Sequence, residues 1–282
     1  MLGATIRPVF GLATGPLRDA LTAALGFFTG LMSALFGIGG AIVSTPGIRA
    51  LGVSAAVAIG TTLPAIIPGA ASGTYRYAKQ HLIDWPVVAR AGSVGAACSI
   101  AGAIITDHIP GHGHFQQLVT AALLGFSGFK MFQGLRRARA IAIAIANRAV
   151  DSEATPAPMS SSLTIVTAVG AGAGFLSGFL GVGGGVFMVP AFTQYAGLNI
   201  RRAIATSLAC VGFFAIPGTI THAIQGGIDW RVALWITATV IPGAQVGAYV
   251  STRASDHRLQ ICVAVLLSTV AVVYGVSEIM AL

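Results

Sequence analysis

Two glycine clusters, Gly37-Ile38-Gly39-Gly40 and Gly181-Val182-Gly183-Gly184-Gly185, carry the most specific chemistry in this chain. Each lies in the middle of a long apolar stretch, where a continuous helix would ordinarily satisfy every backbone polar group. Contiguous glycine lowers helix propensity and permits positive φ, so the chain is expected to unwind there and aim backbone N–H groups at a ligand. A half-helix beginning after each break adds partial positive charge, which favours an anion without a buried lysine or arginine. Close helix packing is the competing explanation. Gly26/Gly30, Gly69/Gly73, Gly170/Gly174/Gly178 and Gly243/Gly247 already have the four-residue spacing of small-residue faces. Contiguity sets 37–40 and 181–185 apart from these. A nucleotide-binding loop does not fit, because no soluble strand–turn–helix context surrounds the clusters.

Matching hydroxyl pairs follow each cluster: Thr61-Thr62 and Thr206-Ser207. Their hydroxyls are suited to completing the shell of a small oxyanion, although serine and threonine in membrane helices also bond back to their own backbone. The candidate binding set is therefore Gly37, Gly39, Gly40, Thr61, Thr62, Gly181, Gly183, Gly184, Gly185, Thr206 and Ser207. Pro46, Gln80, Pro190, His222 and Gln225 are secondary candidates for gating. Gln80 and Gln225 each precede Ile-Asp-Trp, at 83–85 and 228–230, where the aspartate is a natural N-cap and the tryptophan an interfacial anchor. Asp84, Trp85, Asp229 and Trp230 are read as structural. Tyr77 and His222 are equivalent positions; a histidine there is suited to gating or carrying a proton, but a lone one near an interface is usually unremarkable. His108, His112 and His114 have a spacing open to a metal, but only Asp107 stands near to complete a ligand set, and no metal or other cofactor is expected. Cys98, Cys210 and Cys262 lie in apolar segments as small packing residues.

The elements that hold these residues come in duplicate. Residues 26–46, GFFTGLMSALFGIGGAIVSTP, return as 170–190, GAGAGFLSGFLGVGGGVFMVP. AIGTTL at 58–63 returns as AIATSL at 203–208, and GTYRYAKQHLIDW at 73–85 as GTITHAIQGGIDW at 218–230. A duplicated membrane unit with interrupted hydrophobic segments is the pattern of a secondary transporter. With 55% hydrophobic and 9% charged residues and a mean hydropathy of +0.83, the chain has too little polar surface for a soluble globule. Apolar stretches near 20–51, 53–75, 86–106, 115–133, 162–198, 201–221, 230–251 and 258–280 form two sets of four, the first of each set interrupted. The expected architecture is an all-α polytopic membrane protein of two homologous repeats. Residues 1–133 form the first repeat, 134–161 a basic cytoplasmic linker and 162–282 the second repeat. Arg7 and Arg18 precede an apolar run as in a signal peptide, but cleavage would remove half of the repeated motif, so the run is read as mature protein.

The net charge of +8 does not mark a nucleic-acid binder, because the basic residues sit at segment ends and in the linker without interleaved aromatics. No Asp, Glu, Lys or Arg falls mid-segment, which argues against a carboxylate relay and leaves backbone dipoles as the source of positive potential. Sidedness stays open between two models. If each broken segment crosses once, the repeats are parallel, with both termini, Arg76, Lys79, Arg90, the linker and Arg231 inside. If it folds back as a re-entrant hairpin, the repeats are inverted, and Arg201, Arg202, Arg253 and Arg258 join Arg76, Lys79, Arg90 and the linker inside. The second repeat's charges favour inversion, which also supplies alternating access by exchange between halves.

The paired G-x-G-G clusters, the prolines at 46 and 190 and the A-I-x-T-[ST]-L segments resemble the TauE/SafE family over roughly 20–133 and 162–280. The resemblance implies a multi-pass transporter in the cell (inner) membrane, exporting small sulfur-containing anions such as sulfite, sulfoacetate or other organosulfonates, with the duplicated motifs near the transport path. It implies a small anionic substrate and a lipid surrounding, with homo-oligomerisation left open. A membrane enzyme or assembly factor is the weakest alternative, because the sequence shows no intramembrane nucleophile–base pair or His/carboxylate cluster, and no enzymatic activity is expected. Pro64 and Pro68 of the first half and Pro217 and Pro242 of the second have no matching prolines, so helix kinks are expected to differ. A passive channel for small anions or neutral solutes is the alternative, since half-helices also build channels.

Overall fold

A computed structural model of the chain describes residues 15–106, 119–134, 163–181 and 183–279. The histidines at 108, 112 and 114 and almost all of the basic linker lie outside the described residues. Those described form ten helices: α1 (Pro16–Phe36), α2 (Ala41–Ala50), α3 (Ala55–Ala78), α4 (Trp85–Thr106), α5 (119–134), α6 (Leu163–Leu180), α7 (Gly185–Gln194), α8 (Ile200–Ile224), α9 (Trp230–Arg253) and α10 (Asp256–Ile279). Five of them, α1, α4, α8, α9 and α10, are long and apolar enough to cross a membrane. Ten helices arise from eight apolar stretches because the glycine clusters divide 20–51 into α1 and α2, and 162–198 into α6 and α7.

The first break reverses the chain. Gly40, at the start of α2, packs on Thr29 and Ser33 of α1, whereas Gly47 further along packs on Leu25, so α2 runs back beside α1. The long helices then interlock. Gly26 meets Ile236 and Gly30 meets Val240, while Gly243 and Gly247 of α9 meet Phe27 and Leu31, so α1 and α9 run side by side in one direction. Gly170, Gly174 and Gly178 of α6 meet Ala91, Gly95 and Ser99 of α4 in the same way. In lipid there is no hydrophobic drive between helices, and such backbone-to-backbone contact supplies the dispersion energy that holds them. At the centre α3 and α8 cross in opposite directions: Gly60 lies by Gly227, Leu63 by Gly218, Ala70 by Gly212 and Gly73 by Leu208. Ile38, Ile42, Leu63, Leu208, Val211 and Phe214 fill the core around this crossing.

The ion pairs among the described residues lie at helix ends. Arg231 pairs with Asp19 at 2.8 Å and Arg18 with Asp229 at 3.9 Å, tying the starts of α1 and α9. Arg201 pairs with Asp256 at 2.9 Å and Arg202 with Asp84 at 3.9 Å, tying the start of α8 to α10 and to the turn before α4. Asp229 caps α9, its Oδ1 accepting from the amides of Arg231 and Val232, and Trp85 and Trp230 stand exposed beside their aspartates as anchors.

Candidate functional site

Both glycine clusters are unwound. Gly37, Gly39 and Gly40 have φ of +71°, +84° and +77°, and Gly181, Gly183 and Gly184 have +65°, +82° and +65°. These values lie in the left-handed region that only glycine adopts without strain. The first glycine of each cluster closes the helix before it, Gly37 N donating to Ser33 O at 2.8 Å and Gly181 N to Ser177 O at 3.0 Å. The last left-handed glycine, Gly40 or Gly184, is the N-cap of the next helix and has no side chain to satisfy that helix's first amides. The amides of Gly39, Gly40, Gly183 and Gly184 find no acceptor among the described residues.

The two breaks meet. A methyl group built on Gly39 would lie 3.6 Å from the Cα of Gly183, and one built on Gly183 the same 3.6 Å from the Cα of Gly39. The N-terminal ends of α2 and α7 are thereby brought together in the core, each carrying partial positive charge. Both helices have a proline at the sixth residue, Pro46 or Pro190, so each continues past a missing N–H within its 10 residues. Each break also packs on the start of the other half's long helix, Gly37 on Ile204 and Gly181 on Ile59.

The hydroxyl pairs divide their work. Ser207 joins the breaks: its Oγ is 2.7 Å from the Gly37 carbonyl, to which it donates, and 3.4 Å from the Gly185 carbonyl. Thr62 instead donates to its own helix at Ile59 O, 2.8 Å away. Thr61 Oγ1 accepts from the amide of Asp229 at 2.9 Å, and Thr206 Oγ1 accepts from the amide of Asp84 at 3.1 Å. Each threonine thus ties the helix after its own break to the Ile-Asp-Trp turn of the opposite half. Replacing Thr206 with valine keeps the shape, strands the Asp84 amide and is expected to cost about 1–3 kcal/mol. Thr61→Val should behave alike at Asp229, and a thermal-unfolding comparison of the two variants with the parent checks both.

The secondary candidates are scattered. Gln80 and Gln225 are exposed beyond the ends of α3 and α8, away from the breaks. His222 is buried in the last turn of α8 beside Gly60 and Gly227. Three buried hydroxyls near the breaks were not among the sequence candidates: Thr29, which packs on Gly40, Thr45 on α2, and Ser177, whose carbonyl accepts from Gly181. None of the three hydroxyl oxygens has a hydrogen-bond partner. Ser33 and Ser177 recur in the repeated motif, which was a usable signal. Thr29 and Thr45 align with Ala173 and Val189, so repetition could not reveal them.

The described residues are thus those of an all-helical, multi-pass membrane protein with helices broken in its core, an architecture that membrane transporters share. The family model described as Sulfite exporter TauE/SafE matches residues 22–274, and the chain belongs to this family of membrane transporters. It is 26% identical to a probable membrane transporter protein, YunE, of Bacillus subtilis, over 81% of this chain and 87% of that protein. It is 28% identical to a probable membrane transporter protein of Xylella fastidiosa, over 89% of this chain and 93% of the relative. An archaeal relative, also a probable membrane transporter protein, from Methanocaldococcus jannaschii, is 24% identical over 86% and 90% of the two chains. No solved structure matches the chain.

Proposed function

We propose that the chain is a secondary transporter that exports small sulfur-containing oxyanions, such as sulfite, sulfoacetate or other organosulfonates, by alternating access, and has no enzymatic activity. The observation that carries this reading is the meeting of two helix N-termini, with uncommitted glycine amides, at Gly39 and Gly183. A pyramidal sulfite or a sulfonate presents three oxygens to donors converging from both sides, and fixed dipoles stabilise its charge without a counter-cation that would hold it too tightly to release. The unpaired hydroxyl of Thr29, beside Gly40, is placed to join the amides, while that of Ser207 is committed to the Gly37 carbonyl. Thr29, packed on Gly40, gives the first break a more polar lining than its counterpart Ala173 gives the second, so the anion sits closer to α2.

The packing supports reading the two halves as inverted repeats. Equivalent helices α3 and α8 run in opposite directions, which a two-fold axis perpendicular to the helices, and hence in the membrane plane, produces. With α2 returning beside α1, each repeat has a hairpin and three further crossings. Arg76, Lys79, Arg90, Arg201, Arg202, Arg253 and Arg258 then share one face, which the positive-inside rule makes cytoplasmic, and the start of α1 lies on the other. The Thr61–Asp229 and Thr206–Asp84 ties stand at opposite ends of this arrangement and are suited to opening in turn.

Purified protein in vesicles loaded with labelled sulfite or sulfoacetate should show saturable efflux, cross-inhibited between the two anions, and both should raise its melting temperature. Flux linear in concentration would indicate a channel instead, and an absence of both flux and thermal shift would remove the anion site.

A further inference from the structure

Away from the breaks, two groups of cations among the described residues contrast. Arg18, Arg201, Arg202 and Arg231 each face an aspartate. Arg76, Lys79 and Arg253 face no carboxylate among the described residues, and instead gather on two tyrosines where α3 and α9 end. The Arg76 Cζ lies 4.7 Å and the Arg253 Cζ 4.1 Å from the centre of the Tyr249 ring, and the Lys79 Nζ lies 4.5 Å from that of Tyr75. A single ring thus holds two guanidiniums, and neither has a carboxylate partner among the described residues to offset their mutual repulsion. The Nε of Arg76 is also buried without an acceptor.

The seam beneath this cluster is shut on the inside and apolar on the outside. Gln245 Nε2 donates to Ser72 Oγ at 2.9 Å, and Ser72 Oγ to the Ile241 carbonyl at 3.3 Å, stitching α3 to α9. Facing outward beside it are Tyr75, 60% exposed, and Val246, Tyr249 and Val250, 42%, 38% and 44% exposed. A ligand here therefore needs an anionic head for the arginines and a chain to lie against the aromatic and β-branched flank. The last carbonyls of both helices point to this end and carry partial negative charge, so a small free anion gains less here than at a helix N-terminus.

We propose that the α3–α9 seam is a binding site for an anionic phospholipid, its phosphodiester held between Arg76 and Arg253, with Lys79 beside the headgroup and an acyl chain along Val246 and Tyr249. Basic pockets between membrane helices take such headgroups, and the charge of the lipid offsets the repulsion of the paired arginines. The site lies on the outer surface of the bundle and is independent of the transported anion.

Native mass spectrometry of the full chain in neutral detergent, with phosphatidylglycerol or phosphatidylcholine of identical acyl chains, tests the assignment. Phosphatidylglycerol should be retained preferentially and should raise the melting temperature, and R76Q/R253Q should weaken its binding by about tenfold or more. R253Q alone, which leaves the partly buried Arg76 in place, should show a smaller loss in the same direction and covers the case of a double variant that does not fold. Equal retention of the two lipids, or undiminished phosphatidylglycerol binding in both variants, would overturn the proposal. Glycerol 3-phosphate reproducing the thermal shift at matched concentration would also overturn it, in favour of a soluble phosphate site.

Discussion

The Gly183→Ala variant is expected to fold and to lose anion transport. At φ of +82°, alanine costs about 1–2 kcal/mol of backbone strain. Its methyl meets nothing closer than 3.4 Å, with Val211 Cγ1 at 3.4 Å, the Ile38 carbonyl at 3.5 Å and the Gly39 Cα at 3.6 Å. The fold therefore accommodates it, but the space between the two breaks is filled at their point of nearest approach. An oxyanion held there loses at least one charge-assisted hydrogen bond, about 1.5–3 kcal/mol, or roughly 10- to 150-fold in affinity. Gly39→Ala makes an informative comparison, because its methyl would fall 2.6 Å from Val211 Cγ1 and force a side-chain shift as well. Its melting temperature should drop further than that of Gly183→Ala, with transport lost in both. Efflux from vesicles, read beside thermal unfolding in detergent, separates the two effects. A Gly183→Ala protein that exports sulfite at the parental rate would mean that the anion does not pass between the breaks.

The unwound glycines were legible because contiguity is a local property: 37–40 and 181–185 conflict with helix propensity whatever surrounds them. Their encounter was legible only through the duplication, which made a pair of sites more economical than two accidents. The partners of the hydroxyls were not legible. Thr61 and Asp229, like Thr206 and Asp84, are more than a hundred residues apart, and nothing in either local pattern says that a threonine in one half accepts from an amide in the other. The repeated Ile-Asp-Trp turns were correctly read as caps, but their amides need acceptors too, and the threonines at 61 and 206 supply them. Thr29 and Thr45 were hidden for the opposite reason, because the two halves differ there, with Ala173 and Val189 in the second.

Gly174 and Gly172, two positions apart on α6, should respond to leucine in opposite ways. Gly174 faces α4, where an added Cβ would run into the Cα and carbonyl of Gly95. The obstruction is backbone, with no flexible side-chain end to move, so a leucine there must separate the helices. Such overpacking costs about 1–3 kcal/mol where side chains can yield and more where backbone must move, and close packing is the seam's main source of attraction in lipid. Gly172 points outward with nothing within 4 Å of its missing Cβ. Leucine at 172 replaces the poorest helix former after proline and is expected to stabilise α6 by up to about 1 kcal/mol. Gly174→Leu should therefore yield little monodisperse protein while Gly172→Leu yields at least as much as the parent, measured by size-exclusion chromatography of the solubilised membrane fraction. Function follows packing here, because the carbonyl of Ala173, adjacent to this seam, abuts Gly184 at the start of α7. Any Gly174→Leu protein that does survive has α6 displaced and the second break moved off the first, and should export no anion even at temperatures where it remains folded.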